Sequence, residues 1–284
     1  MRPPRPSVRR NARRPERDLF EIESGVNSMK IFITGDIHGK LDFEKLQPRF
    51  FPQGPSLSEE DVLLVAGDFG LPVLPAHSEA DYYLDDLASR KYATLFIDGN
   101  HEHFGFLASL KTEYRFEGPV GVLRPNVLHL RRGNVYEIGG FSLFAMGGAR
   151  GMSNMAGYGF DSRETPSERE WERAHKSLEE RDRRVDFVLT HAAPERFLSH
   201  LYQTYNGCPV SKRLEEIYER LRFTKWFCGH YHRDIDFPDA GVHFLNERIL
   251  RLDSSSPLAK SDRLKNCRAG LEEGRDWSIV EGVR

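Results

Sequence analysis

Cysteine is scarce in this chain of 284 residues: only Cys208, Cys228 and Cys267 occur, and no two form a C-x-x-C pair. An odd, scattered set excludes a secreted disulfide framework and a thiolate zinc knuckle, and it suits free thiols in a reducing, cytoplasmic setting. Long apolar runs are also missing. None approaches the roughly 18 residues a membrane-spanning helix needs, so no membrane partner is expected. The basic N-terminus has no apolar stretch of the signal-peptide kind. Charge of one sign is lacking overall, with a net charge of −2. Whole-chain electrostatics therefore point to neither nucleic acid nor a membrane surface.

What is present is ordinary for a folded α/β protein. Hydrophobic residues make up 39 % of the chain, with 24 glycines besides. The length allows one large domain or two small ones. Residues 1–28 stand apart, with seven arginines against Glu16, Asp18, Glu21 and Glu23, interleaved with proline. That composition cannot build a core, so 1–28 is expected to be a disordered extension. A nucleic-acid contact, if the chain makes one, would run through this arm; a dispensable extension is the plainer reading. Met29 directly precedes the first strand and is a candidate translation start. The tail 254–284 is polar and aperiodic, and weak order is expected there. The domain is placed at 29–253.

Within it, apolar strand-like runs alternate with helical patterns. "IFIT" at 31–34 leads to a predicted helix over 41–50. "VLLVAG" at 62–67 leads to a helix with Leu84, Leu87 and Ala88 on one face, and then to "ATLFI" at 93–97. This is a βαβαβ pattern. The stretch 127–148 predicts three short strands joined by glycine turns, a meander forming a second sheet. Ser167 and Glu170 have capping-box spacing for a helix at 168–182. "VDFVLTH" (185–191), a helix over 211–221, "KWFCGHYH" (225–232) and a closing hairpin from "VHFLN" and "RILRLD" complete the reading.

The strand ends carry the chemistry. The first ends in Gly-Asp-Ile-His-Gly (Asp36, His38), the second in Ala-Gly-Asp-Phe-Gly (Asp68), and the third in Asp-Gly-Asn-His-Glu (Asn100, His101). Two later ones end in Thr-His-Ala-Ala (His191) and Cys-Gly-His-Tyr-His (His230, His232). A lone Asp-x-His is weak, because both residues are common in turns. Five such events, each at the end of an apolar run, are a pattern, since α/β sheets bind ligands outside the carboxyl ends of their strands. Two Asp, one Asn and four His give seven candidate ligands; with one carboxylate shared, each of two ions receives four. Mixed oxygen and imidazole donors suit Mn, Fe or Zn better than Mg, and Mn is placed first. Two such ions about 3.5–4 Å apart can activate a water and neutralise phosphate oxygens. Gly35 and Gly39 are expected to let the backbone turn beside the ion. His77, His129, His175, His200 and His243 read as surface or packing residues, and His103 is left open.

Taken in order, these motifs resemble those of the calcineurin-like metallophosphoesterases, in particular small bacterial and phage-type members, over roughly residues 29–253. The resemblance implies an αββα fold, with two mixed β-sheets in a sandwich flanked by helices. It implies that Asp36, His38, Asp68 and His232 hold one metal ion and Asp68, Asn100, His191 and His230 a second, with Asp68 bridging. It implies that His101 is catalytic, facing the scissile phosphate, and that a metal-bridging hydroxide attacks phosphorus. The expected substrate is a phosphodiester or a small phosphorylated compound. The alternatives are a phosphoprotein Ser/Thr phosphatase, a dinucleoside-polyphosphate hydrolase and a non-catalytic binding scaffold; the intact ligand set argues against the last. The phosphoprotein branch continues its second motif into Asp-Arg-Gly, whereas this chain has Phe69, Gly70, Leu71 and Pro72 there. Specificity is expected from loops at 70–80, 102–120 and 149–165.

Overall fold

Three four-residue apolar segments lie side by side at the centre of one sheet. β1 (Ile31–Thr34), β2 (Val62–Val65) and β3 (Ala93–Phe96) pair in parallel, with Ile31 opposite Val62 and Val62 opposite Ala93. Parallel strands covered on both faces need apolar side chains at almost every position, which these segments supply. The computed structural model describes residues 29–70, 79–151, 161–202 and 208–252. The predicted extension 1–28, the tail 254–284, His77, and much of the 70–80 and 149–165 loops lie outside the described residues.

The first crossover is not the helix predicted over 41–50. A single 3₁₀ turn, Phe43–Leu46, forms, and Gln47 is extended with ψ 154°. Pro48 accounts for this, because a proline ring drives the preceding residue out of the helical region. The second crossover is α1 (Glu79–Ser89), which buries Leu84 and Leu87 as its periodicity predicts.

Beyond β3 the chain forms α2 (Phe104–Ser109), β4 (Thr112–Arg115), β5 (Gly118–Arg124) and β6 (Val127–Leu130). The predicted 102–120 loop is therefore mostly regular structure. β6 joins β3 in parallel, and β5 and β4 extend the sheet antiparallel. With β13 (Ile249–Leu252) on the other side of β1, the first sheet runs β13-β1-β2-β3-β6-β5-β4.

The second sheet contains β7 (Asn134–Ile138), β8 (Phe141–Met146), β9 (Phe187–Thr190), β10 (Lys225–Cys228), β11 (Ile235–Phe237) and β12 (Val242–Phe244), in the order β11-β12-β10-β9-β8-β7. α3 (Glu168–Glu179) precedes β9 and α4 (Pro209–Tyr218) precedes β10. The capping box forms: Glu170 accepts the Ser167 amide at 2.7 Å and its hydroxyl at 2.8 Å.

Two expected pairings are split between sheets. The 127–148 meander begins in the first sheet, because β6 pairs with β3, and only β7 and β8 form a hairpin in the second. The closing hairpin does not form either. β12 lies parallel to β10, while β13 crosses to pair antiparallel with β1.

The result is the expected sandwich of two mixed sheets between helices. Ile31, Ile33, Leu64 and Leu95 meet Leu143, Leu189 and Phe227 between the sheets. Phe32, Leu63 and Phe96 face outward under α1. On the opposite outer face, Phe144, Val188 and Trp226 lie under Trp171 and Leu178 of α3 and Leu214 and Ile217 of α4. Each such buried side chain contributes about 1.5–3 kcal/mol. Among the described residues no helix is long and apolar enough to cross a membrane.

Parallel register has one consequence for function. Thr34, Val65 and Phe96 are level with each other, as are Met146, Thr190 and Cys228. The loops that follow β1, β2, β3, β9 and β10 therefore leave from level strand ends.

Candidate metal centre

All eight side chains singled out in the sequence lie on these five loops. Asp36 and His38 follow β1, Asp68 follows β2, and Asn100 and His101 follow β3. His191 follows β9, and His230 and His232 follow β10. Four of them have positive φ: His38 (48°), Asp68 (42°), His230 (70°) and His232 (50°). Non-glycine residues avoid this region, and strain of this kind persists where surrounding contacts over-determine it. Such contacts are present here. The Asp68 carbonyl accepts the amides of Ile37 (3.1 Å) and His38 (2.7 Å), and the His230 amide donates to both oxygens of Asp36 at 3.0 Å. Gly39 does turn left-handed (φ 57°), but Gly35 is needed for space, since a Cβ there would collide with the Leu245 carbonyl.

Two groups of ligand atoms result, each within 4.8 Å of one another: Asp36, His38, Asp68 and His232, and Asp68, His191 and His230. Asp68 belongs to both. Its Oδ2 lies 3.2 Å from His38 Nε2, and its Oδ1 lies 3.2 Å from His191 Nε2. Asn100 Oδ1 stands 3.3 Å from His191 Nε2, and His232 Nε2 is 3.3 Å from Asp36 Oδ2. His101 is in neither group. Its amide donates to Asp68 Oδ1 at 2.8 Å, while its exposed ring packs edge-on to His38 with centroids 5.6 Å apart.

The outer ring nitrogens are already engaged. His191 Nδ1 donates to the Ala66 carbonyl at 2.8 Å, and His38 Nδ1 bonds Asp42 Oδ2 at 2.8 Å. Both bonds leave Nε2 directed at Asp68, the arrangement that orients imidazole ligands of metals. Asp36 and Asp68 are buried. Mixed carboxylate, amide and imidazole donors converging in this way suit Mn, Fe or Zn. The residues fit two divalent cations sharing Asp68.

The protonation states reflect the same crowding. Burial opposes charge on His38, but the hydrogen bond and charge of Asp68 outweigh it and raise the ring to about 9. His191 is likewise buried yet raised to about 10 by Asp68 and Asp36. Burial would push the Asp68 carboxyl up, but the charge and hydrogen bond of His191, with His38, hold it well below the usual range. Loss of water and the His191 charge push His230 down to about 4.

Neither neighbouring carboxylate orients His101. Asp98 bonds His129 Nε2 at 3.0 Å and Arg132 Nε at 2.7 Å. Glu102 accepts the amides of Phe69 (2.8 Å), Gly70 (3.2 Å) and Gly99 (3.2 Å). Burial and the Asp68 charge raise Glu102 to about 8. Lys45, whose ammonium is bonded to the carbonyls of Asp36 and Asn246, also escaped the sequence reading, as did Asp42. The one sequence signal for Asp42 is its place four residues after His38. His129 is a packing residue with a hydrogen bond, and His103 caps α2, its Nδ1 accepting the Phe106 amide at 3.0 Å.

A family model describing calcineurin-like phosphoesterases matches residues 29–234. Comparison with curated proteins yields no match. Among solved structures, similarity extends to a Staphylococcus aureus protein provisionally assigned as a 5'-nucleotidase and crystallised with α-ketoglutarate. The two share 16 % identity at a TM-score of 0.43; the match covers 86 % of this chain and 58 % of the other. A second is the phosphopantetheinyl hydrolase PptH of Mycobacterium tuberculosis, with 16 % identity and a TM-score of 0.40, covering 77 % of this chain and 88 % of the other.

Proposed function

The chain belongs to the calcineurin-like phosphoesterase family, and from that premise we propose a hydrolase that uses two divalent cations, Mn foremost, to cleave a phosphodiester or a small phosphorylated compound. The observation that carries this reading is the double membership of Asp68, one carboxylate facing both groups of ligand atoms. Asp36, His38, Asp68 and His232 would hold one cation; Asp68, Asn100, His191 and His230 would hold the other. Bound there, the cations supply Lewis-acid charge for phosphate oxygens and lower the pKa of water.

The chain's own residues do the rest. Ala66 and Asp42 engage Nδ1 of His191 and His38, so that Nε2 of each ring faces the centre. Backbone amides of Asn100 and His101 hold Asp68 Oδ1, each at 2.8 Å. His101, exposed and outside both groups, would give a proton to the departing oxygen. The scarcity of cysteine, three scattered residues with no C-x-x-C pair, supports a reducing, cytoplasmic setting.

The test is hydrolysis of bis-p-nitrophenyl phosphate and p-nitrophenyl phosphate with added Mn, combined with metal analysis of the purified chain. The reading expects turnover that follows metal content, and the ratio of the two rates separates a diesterase from a monoesterase. No turnover of either ester with Mn, Fe or Zn would overturn it in favour of a binding scaffold.

A further inference from the structure

Arginine gathers in one place away from the metal centre. Arg131, Arg132, Arg163, Arg169 and Arg173 line a groove of about 510 Å³ and share it with two carboxylates, Asp98 and Glu170. The groove lies between α2, the residues following β6 and the entry to α3. β6 runs parallel to β3, so its C-terminal end opens on the same sheet edge as Asn100 and His101. The offset is one strand, about 4.8 Å.

Charge in the groove is only partly neutralised. Arg132 is paired with Asp98 and, at 3.5 Å, with Glu170, and Arg163 is paired with Asp161 at 2.6 Å. Arg131 is bonded to neutral acceptors, the carbonyls of Leu107 (2.8 Å) and Leu110 (3.2 Å). Arg169 and Arg173 are exposed, and among the described residues neither has a hydrogen bond or ion pair. Four residues apart on α3, they occupy one face, where like charges destabilise a helix. Burial lowers the Arg131 guanidinium, and the Arg173 charge adds to that effect. The groove also has an apolar floor, from Phe104, Leu107 and Pro166.

We propose that this groove binds a ligand carrying a phosphate-class anion on a flat apolar body, in its simplest form a nucleoside monophosphate. Arg169 and Arg173 receive the anion, since guanidinium forks match phosphate oxygens, the charge of Arg131 adds to the field beside them, and the apolar floor receives the base. None of the seven residues assigned to the metal centre lines the groove, so the site stands whether or not the centre hydrolyses anything.

The test is calorimetric titration of adenosine 5′-monophosphate into the full chain and into an Arg169→Ser/Arg173→Ser chain. Each is also measured in an Asp68→Asn background, which weakens the metal centre and prevents turnover. Loss of the arginine pair is expected to weaken binding about tenfold or more in both backgrounds, while the chain stays folded by its thermal melt. Asp68→Asn alone should leave Kd where it was, and inorganic phosphate should bind more weakly than the nucleotide. Equal binding with and without the arginine pair, loss of binding with Asp68→Asn alone, or phosphate binding as tightly as the nucleotide would each overturn the assignment.

Discussion

Glu102 Oε1 accepts the backbone amide of Phe69 at 2.8 Å, across 33 residues of sequence. The residue after His101 thus grips the residue after Asp68. Its other bonds, to Gly70 and Gly99, tie the loops after β2 and β3 into one unit. Removing the carboxylate leaves three amides without this acceptor, while every proposed ligand remains. Glu102→Ala is therefore expected to weaken metal binding by up to about 10-fold, the low end of what is lost when a ligand's own hydrogen-bond partner is removed, because Glu102 holds the loops and not the ligand side chains. Glu102→Gln should restore part of this, because its carbonyl oxygen still serves Phe69. Metal titration of both variants checks the order: Ala weakest, Gln intermediate.

Asp68 makes a sharper claim. A residue that serves one ion alone would, when replaced, leave the other ion in place. Asp68 faces His38 through Oδ2 and His191 through Oδ1, so Asp68→Asn should lower the occupancy of both ions together, by more than about 100-fold in affinity. Metal-to-protein stoichiometry decides the point. One ion retained at full occupancy would refute the sharing.

His101 should behave in the opposite way. Its ring is exposed and lies in neither group of ligand atoms, so His101→Ala should leave both ions bound. A positioned proton donor contributes roughly 10²–10⁴ in rate, and kcat should fall within that range. Loss of metal in parallel with loss of rate would make His101 a ligand instead.

The sequence displayed the strand ends clearly and their surroundings hardly at all. "IFIT", "VLLV" and "FVLT" are apolar at every position bar a terminal threonine, and each is followed within two residues by Gly-Asp or by His. Such runs, alternating with helical patterns, read as buried strands of a parallel or mixed sheet, whose polar ends then fall on one edge. β4 and β5 were hidden because "TEYR" alternates exposed with half-buried positions and "GPVGVLR" carries glycine and proline. The split of the 127–148 strands between sheets was illegible for another reason. Local pattern says that a segment is extended, but the choice of partner, β3 for β6, is tertiary. The roles of Asp98, Glu102 and Asp42 likewise depend on what the fold brings beside them.

The acid limb of stability can be tested away from the metal centre, at Asp236. Its carboxylate accepts Arg248 Nη1 at 2.7 Å and Nη2 at 2.6 Å, and His243 Nδ1 lies 2.6 Å away. The Arg248 hydrogen bonds, with help from His243 and against some burial, depress the carboxyl from 3.8 to about 2. A carboxyl held below its unfolded value stabilises the fold at any pH above that value, and the contribution disappears as pH falls through the folded one. The window here runs from about 4 down to about 2. Asp236 is 40 % exposed, so water screens the interaction and its worth stays within about 1 kcal/mol. Asp236→Asn should therefore melt about 1–3 °C below the parent chain at pH 7, and the gap should close by pH 2. Thermal melts of both chains across that range measure it. A gap that persists undiminished in acid would mean that the Asp236 side chain acts through packing and not through its charge.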